Sequence, residues 1–294
     1  MPRHANAGRR ELFRAYMRSR LALWAYLLGG GGAFLYGAYR REPLIMAGGI
    51  VAVATLVTVA AALLADRAAE SRFFEALAPR LGLQYVGPAK LLALTPLLGA
   101  GDSQMCEHWM HGDISTEHGL AGGLGQFTYD VRWSRGTGTG RQEVTVERHT
   151  LTLCLIEIEP STARFRGVFL RPRRGVFDGE DWLDGRGDRT LELESADFCR
   201  RYELRIADDQ GELPVRELLS PSLVEWLARH PLVAGFELKA GTLVVFAARE
   251  LDDAGTFELF LDGARRLAER VVDEVAEDAE RVGAAAPRGS GSRA

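Results

Sequence analysis

The densest group of possible metal ligands in the chain lies in one short segment. Cys106, His108, His111 and His118 offer thiol sulfur and imidazole nitrogen, the donors that Zn²⁺ and other transition metals prefer. Their spacing does not match a standard zinc motif, and on a strand His108 and His111 would point to opposite faces. Neighbouring glycines favour an exposed loop. Two interpretations therefore stay open: a metal site serving a hydrolase, and an ordinary polar connection.

Other polar motifs in the chain have structural explanations. Ser195 follows Glu194, but no G-x-S-x-G elbow surrounds it, and a serine at this position is typical of a helix N-cap. The GTGTG run at residues 136–140 lacks the lysine and the following helix of a phosphate-binding loop, so we expect a hairpin loop. The acidic run at residues 178–188 lacks the pattern of an EF-hand. We assign no catalytic residue and no cofactor from the sequence.

Composition excludes several classes of protein. The 294 residues are 47% hydrophobic and 26% charged, which excludes a chain that is disordered over most of its length. Three cysteines are too few for a disulfide-stabilised scaffold. Residues 66–294 contain 28 basic and 38 acidic residues, a net charge of −10, whereas a nucleic-acid-binding domain normally has a basic face. We therefore expect no nucleic-acid partner.

Two uncharged segments near the N-terminus predict membrane spans. Residues 21–39 contain no charge, and neither do residues 43–65. As helices they would be roughly 29 Å and 34 Å long, about the thickness of the hydrocarbon core of a bilayer. Only three residues separate them, so the two helices must run antiparallel. We predict a transmembrane helical hairpin, with the lipid bilayer as its partner.

The distribution of arginine predicts the orientation of this hairpin. Six arginines precede residue 21 and three follow the second segment within residues 66–80, against two in the turn. The excess of positive charge places both termini in the cytoplasm, in a cell membrane that the chain crosses twice. We expect the arginines nearest the first segment to meet anionic lipid head groups. They are Arg9, Arg10, Arg14, Arg18 and Arg20.

Small residues recur every fourth position along the first segment. They are Ala25, Gly29, Ala33 and Gly37, and the second segment offers Gly48 and Ala52 at the same spacing. Small residues at this period let helices approach closely in a membrane. The face they form could pack the hairpin against itself or could also form a dimer. Neither segment contains an ionisable residue, which favours an anchor over a transporter.

Residues 66–282 are predicted to form a cytoplasmic α+β domain, followed by a disordered tail at 283–294. A helix continues from the second span to about residue 81, and alternating apolar residues from Gln126 onward predict mainly antiparallel strands. Ser220 with Pro221 predicts a helix start that the serine caps. The apolar period from Phe257 onward predicts a long C-terminal helix. Residues 83–125 show no clear pattern.

Several motifs in this region resemble those of an uncharacterised family of bacterial two-span membrane proteins, some of them encoded beside LemA-type proteins. The motifs are F-x-G-x-F at residues 165–169, E-S-x-x-F at 194–198, and L-S-P at 219–221. Tyr202 and Leu204 stand where the family more often has Phe and Val. The resemblance implies an α+β fold and a membrane location, but it implies no reaction.

Two functions are consistent with these features of the sequence. The first is a membrane-anchored interaction or structural module, whose partner is a second copy or a neighbouring membrane protein. The second is a membrane-tethered, metal-dependent hydrolase that uses the segment from Cys106 to His118. The first hypothesis requires no enzyme activity, whereas the second requires the four metal-ligand candidates to converge.

Overall fold

The computed structural model describes residues 12–136, 142–173 and 188–285. The chain forms two compact units, Met1–Leu77 and Ala78–Ala294. The GTGTG run and the acidic run lie wholly or almost wholly outside the described residues, as does most of the predicted tail.

The first unit is helical. Residues 12–17 form a short helix, followed by α1 (Arg20–Ala25), a π-helical turn (Tyr26–Gly30), α2 (Gly31–Arg40) and α3 (Pro43–Arg80). The first predicted span is therefore interrupted, and the π-helical turn reaches into a run of four glycines, residues with low helix propensity. The predicted continuation of the second helix to about residue 81 is correct. Within the described residues, one helix, Ala47–Arg80, is long and apolar enough to cross a membrane.

Small residues let the segment from α1 to α2, which forms the first arm of the helical unit, contact α3, which forms the second arm. A Cβ atom added to Gly29 would lie 2.9 Å from Val53 Cγ1, and one added to Gly49 would lie 2.6 Å from the Cβ of Ala33. Gly29 and Ala33 belong to the predicted small-residue face. On α3 the contacting residues are Gly49 and Val53, each one position after the predicted Gly48 and Ala52. The face of α3 that meets the first helices is therefore offset by one residue from the predicted face.

The N-terminal basic segment is partly packed. Leu12 is buried against Ala65 and Ala69 of α3, with Phe13 and Tyr16 beside them. Arg14 and Arg18 are exposed, Arg20 begins α1, and Arg9 and Arg10 lie outside the described residues.

The second unit contains a nine-stranded sheet, antiparallel at every described pairing, in the order β1-β2-β3-β4-β9-β8-β5-β7-β6. This confirms the α+β class with a mainly antiparallel sheet. The strands are β1 (Leu83–Ala89), β2 (Ser103–Ser115), β3 (Leu120–Gly136), β4 (Gln142–Glu157), β5 (Val168–Pro172), β6 (Asp188–Thr190), β7 (Tyr202–Ala207), β8 (Gly235–Lys239) and β9 (Thr242–Ala247).

The described part of this unit also contains four α-helices: α4 (Ala196–Arg201), α5 (Glu212–Leu218), α6 (Pro221–Arg229) and α7 (Ala254–Ala285). The long C-terminal helix is confirmed, and its predicted stripe is buried from Phe257 to Val271 because α7 packs on the strands β2, β4 and β9. Ser195 caps α4 as predicted, accepting a hydrogen bond from the Phe198 amide. The predicted helix start at Ser220 and Pro221 is confirmed, with Ser220 at the N-cap position of α6. The predicted capping bond is wrong, since the Ser220 hydroxyl contacts Ser222 and caps no amide of α6.

A second apolar cluster covers part of the other face of the sheet. The turn Leu97–Gly99 places Leu97 and Leu98 over Phe127 and Phe246, with Trp109 in the same cluster. Strand β2 and the first residues of β3, up to residue 125, lie in the part of the chain that shows no clear pattern, whereas the alternation from Gln126 onward predicts the rest of β3. Gly123 and Gly125 interrupt the alternation in β3, because they leave room for the Trp109 ring.

Candidate functional site

The predicted metal-ligand segment is a strand with a tight turn. Residues 103–115 form β2, which is paired on both sides, so the expected exposed loop is wrong for most of the segment. The pairing of β2 with β3 on one edge and β1 on the other satisfies its backbone and holds it extended. Cys106 is fully buried on this strand, and burial raises the pKa of its thiol to about 12.

The three histidines of this segment lie in different environments. His108 is buried, its Nδ1 lies 3.1 Å from the Tyr85 hydroxyl, and burial lowers its pKa. His111 is exposed on β2, and His118 is exposed in the turn after it. A strand rises about 3.3 Å per residue, so the ends of this segment lie roughly 30 Å apart. Ligands of one zinc ion must all lie within about 2.3 Å of it.

The structure therefore does not bring the four candidates together. Across residues 12–136, 142–173 and 188–285 there is also no group of three or more His, Cys, Asp or Glu side chains that could hold a metal ion. The geometry gives the hydrolase hypothesis no support.

Burial of the thiols predicts an unreactive pair of cysteines. Cys106 and Cys154 are both buried with pKa values raised to about 12, whereas Cys199 is half-buried. Because the thiolate is the nucleophile, we expect iodoacetamide at pH 8 to modify Cys199 in the folded protein and to leave the other two unmodified. Peptide mass spectrometry measures this, with the urea-unfolded chain as the control in which all three react. Rapid modification of Cys106 in the folded protein would contradict the burial.

The helical unit exposes an unusually apolar surface. Only 6% of the most apolar 18-residue stretch of α3 is buried. Large apolar side chains at least half exposed include Leu23, Trp24, Leu27, Leu28, Leu35, Tyr36, Tyr39, Leu44, Val51, Leu56, Val59, Leu63 and Leu64. Soluble monomers rarely expose a continuous apolar patch of this kind, so this surface is built for a non-aqueous environment or for a partner.

Polar side chains form contacts within the helices of this unit and between them. The Tyr26 hydroxyl lies 3.3 Å from Thr58 Oγ1, and the Thr58 hydroxyl in turn donates to the Ala54 carbonyl at 2.8 Å. At the other end of the first arm, the Arg40 guanidinium lies over the Tyr36 ring at 6.0 Å from its centre. Tyrosine and arginine near the ends of an apolar helix are typical of the boundary between lipid and water.

Two of the motifs that carry the family resemblance meet in the second unit. Leu193, Glu194 and Ser195 line a cavity of about 490 Å³, together with Leu219 and Pro221 from the L-S-P segment. The remaining motif lies in the core, where Phe165 and Phe169 are buried. The motif residues are therefore explained by packing, by capping and by the wall of this cavity.

A different cavity combines residues of which the sequence analysis names only Tyr202. About 320 Å³ in volume, it lies between Arg201 and Tyr202, the segment His230–Ala234, and Arg249. These segments are distant along the chain, and no local pattern connects them. Only the sheet order, which places β7 and β9 on either side of β5 and β8, brings them to one place.

Fold and surface together describe an α+β protein with a helical unit that contains a helix long and apolar enough to cross a membrane. No protein-family model matches the chain, and no curated protein matches it. Among solved structures, the chain is similar to the mycobacterial trehalose monomycolate transport factor A, TtfA, with 12% identity and a TM-score of 0.46. The match covers 68% of this chain and 93% of that one.

Proposed function

We propose that this protein is a membrane-anchored module whose helical unit crosses the bilayer twice and holds the α+β unit in the cytoplasm. The observation that carries the proposal is the exposed apolar surface of α1, α2 and α3. In water this surface would cost roughly 25 cal/mol for each Å² left exposed, whereas lipid removes that cost. The arginines at the N-terminus favour the cytoplasm for both termini.

The small-residue contacts support an antiparallel hairpin. Ala33 and Gly49, the nearer pair to the turn, lie against each other, and so do Gly29 and Val53, the pair further from it. Contacts in this order are those of two antiparallel helices. This arrangement supports the interpretation in which the small-residue face packs the hairpin against itself. A partner, whether a second copy or a neighbouring membrane protein, would then contact other surfaces.

Labelling of single cysteines tests the two spans. In a Cys199→Ser background, Glu42→Cys lies in the turn, Arg14→Cys before α1, and Ser222→Cys on α6, all three at exposed positions. We expect a membrane-impermeant maleimide to label the cysteine at 42 on intact cells, and the other two only after permeabilisation. If the cysteine at 14 reacts together with that at 42, only one span exists. If the cysteine at 222 reacts on intact cells, the orientation is reversed.

A matched pair of charge variants tests whether lipid surrounds α3. Leu56 and Val59 are exposed in α3, and Leu213 and Leu259 are exposed in the second unit. Each arginine at the centre of a span costs about 2.5–3.5 kcal/mol of insertion. The double variant L56R/V59R is therefore expected to lose most of its alkali-resistant membrane fraction, while L213R/L259R keeps it. Equal behaviour of the two double variants would contradict a lipid-facing α3.

The interaction role is tested by isolating the chain from its native membranes. Purification in a mild neutral detergent, followed by mass spectrometry of proteins and by elemental analysis, is expected to yield a recurrent protein partner or a stable oligomer. Stoichiometric metal that is lost when His108, His111 and His118 are replaced by alanine would instead favour the hydrolase.

A further inference from the structure

The cavity of about 320 Å³ in the second unit is lined by two arginines in an otherwise acidic part of the chain. Among the described residues, Arg201 and Arg249 are the charged side chains that line it, and no described carboxylate does. Residues 66–294 carry a net charge of −10, so two arginines without a described carboxylate beside them depart from their surroundings. Both arginines are exposed, so their two positive charges are accessible to an anion that enters the cavity.

The nearby carboxylates are already engaged elsewhere. Glu203 pairs with Arg171 at 2.8 Å, and Glu225 pairs with Arg229 at 2.7 Å. Glu250, next to Arg249 in the chain, accepts a hydrogen bond from the Gln126 amide at 2.8 Å. Within the described residues, neither Arg201 nor Arg249 forms an ion pair, so the charge of both guanidinium groups is available to a ligand.

The walls of the cavity are held in place by their own hydrogen bonds. Arg201 Nη1 donates to the Ala228 carbonyl at 3.1 Å, and the Tyr202 hydroxyl donates to the Leu227 carbonyl at 3.3 Å. His230 Nδ1 accepts hydrogen bonds from the backbone amides of Leu232 and Val233 at 3.3 and 3.0 Å, and these bonds fix the loop after α6. A site whose walls are fixed before binding loses less conformational entropy when a ligand enters.

The lining also limits the kind of ligand. Besides its polar groups, the cavity is lined by apolar side chains that include Leu232, Val233 and Ala248. Two guanidinium groups balance a dianion, which a phosphate monoester is near neutral pH and a single carboxylate is not. We propose that this cavity binds a phosphate monoester with a small, partly apolar body. The proposal is independent of the membrane anchor, because it rests on contacts within the second unit.

Calorimetry of the full chain in a neutral detergent tests the site, with inorganic phosphate as the first probe. We expect saturable binding that Arg249→Gln weakens at least about tenfold, the loss of one charge-assisted contact. Arg229→Gln is the matched control, since Arg229 is exposed and paired with Glu225, and we expect it to change the affinity less than twofold. Arg201→Gln should weaken binding like Arg249→Gln, and a thermal melt of each variant separates loss of binding from loss of folding.

Further probes distinguish the source of the phosphate. Dihexanoyl phosphatidic acid below its micellar concentration represents a lipid head group, and glycerol 3-phosphate represents a soluble ester. Tighter binding of the first supports a lipid ligand, and equal or tighter binding of the second supports a soluble metabolite. The proposal is overturned if phosphate does not saturate the wild type, if acetate binds as well as phosphate, or if Arg229→Gln weakens binding as much as Arg249→Gln.

Discussion

Replacement of Arg164 by methionine is expected to lower the free energy of unfolding by about 3–5 kcal/mol, the usual cost of breaking a buried ion pair. The side chain of Arg164 is 4% exposed and contacts Glu217 at 2.6 Å and Glu274 at 3.1 Å, with Asp278 beside its other amino group. Methionine fills a similar volume but leaves three carboxylates facing one another without the central cation. Glu274, itself 3% exposed, would keep its ion pair with Arg270.

An exposed pair two residues away provides the control for this variant. Arg166 contacts Asp209 at 2.9 Å, but both side chains are about three-fifths exposed. Arg166→Met is therefore expected to cost no more than about 1 kcal/mol, because water screens and replaces the interaction. Urea unfolding of the full chain in a neutral detergent, followed by near-ultraviolet circular dichroism, measures both. If the two variants lower the free energy of unfolding by similar amounts, the buried cluster contributes no more to stability than the exposed pair.

Lysine at position 164 separates charge from geometry. Lysine restores a positive charge but lacks the planar fork that lets one arginine contact three carboxylates at once. Arg164→Lys should therefore recover part of the lost stability. Full recovery would mean that only the charge matters, and no recovery would mean that the fork geometry is essential.

Alanine in place of Gly123 is expected to destabilise the protein by about 3 kcal/mol, the upper end of the usual cost of overpacking. An added Cβ atom would lie 2.1 Å from the Trp109 ring and 2.6 Å from the backbone oxygen of Met110. The ring belongs to the apolar cluster under the turn Leu97–Gly99, and the backbone oxygen belongs to a paired strand. Neither can move without disturbing neighbouring contacts, so the clash is not relieved cheaply.

Two further variants identify the cause of that loss. Gly99→Ala is the control, because its Cβ would meet the nearest atom at 3.6 Å, an ordinary contact. In a Trp109→Leu background, the additional cost of Gly123→Ala should fall by roughly 1 kcal/mol or more, since the smaller side chain removes part of the clash. An unchanged cost in that background would assign the whole effect to the Met110 backbone.

Sequence periodicity was sufficient where an element is defined by local contacts. The stripe from Phe257 onward predicted α7, and Ser195 predicted the start of α4, because a helix face and an N-cap involve residues a few positions apart. The hairpin of β8 and β9 turns at Ala240 and Gly241, and both residues have the positive φ that this turn needs. The apolar character of α3 followed from composition alone.

Patterns failed where distant residues decide the structure. Residues 83–125 show no readable period. Glycines in a sequence usually suggest turns, but Gly122, Gly123 and Gly125 lie within a strand, where they allow close contacts with β2 and β4. The metal hypothesis failed to gain support for a related reason. Proximity along the chain suggested a cluster, but an extended strand separates its residues by about 3.3 Å each.

The amino-acid sequence by itself determined that part of this protein is apolar enough to leave water, and that the rest is an acidic α+β region. Those properties depend on composition and short-range periodicity, which are fixed by the sequence before the chain folds. Only the tertiary structure decided which charges became buried partners of Arg164 and which arginines were left to line a cavity. That choice depends on strand order, because side chains far apart in the chain become neighbours only when the sheet forms.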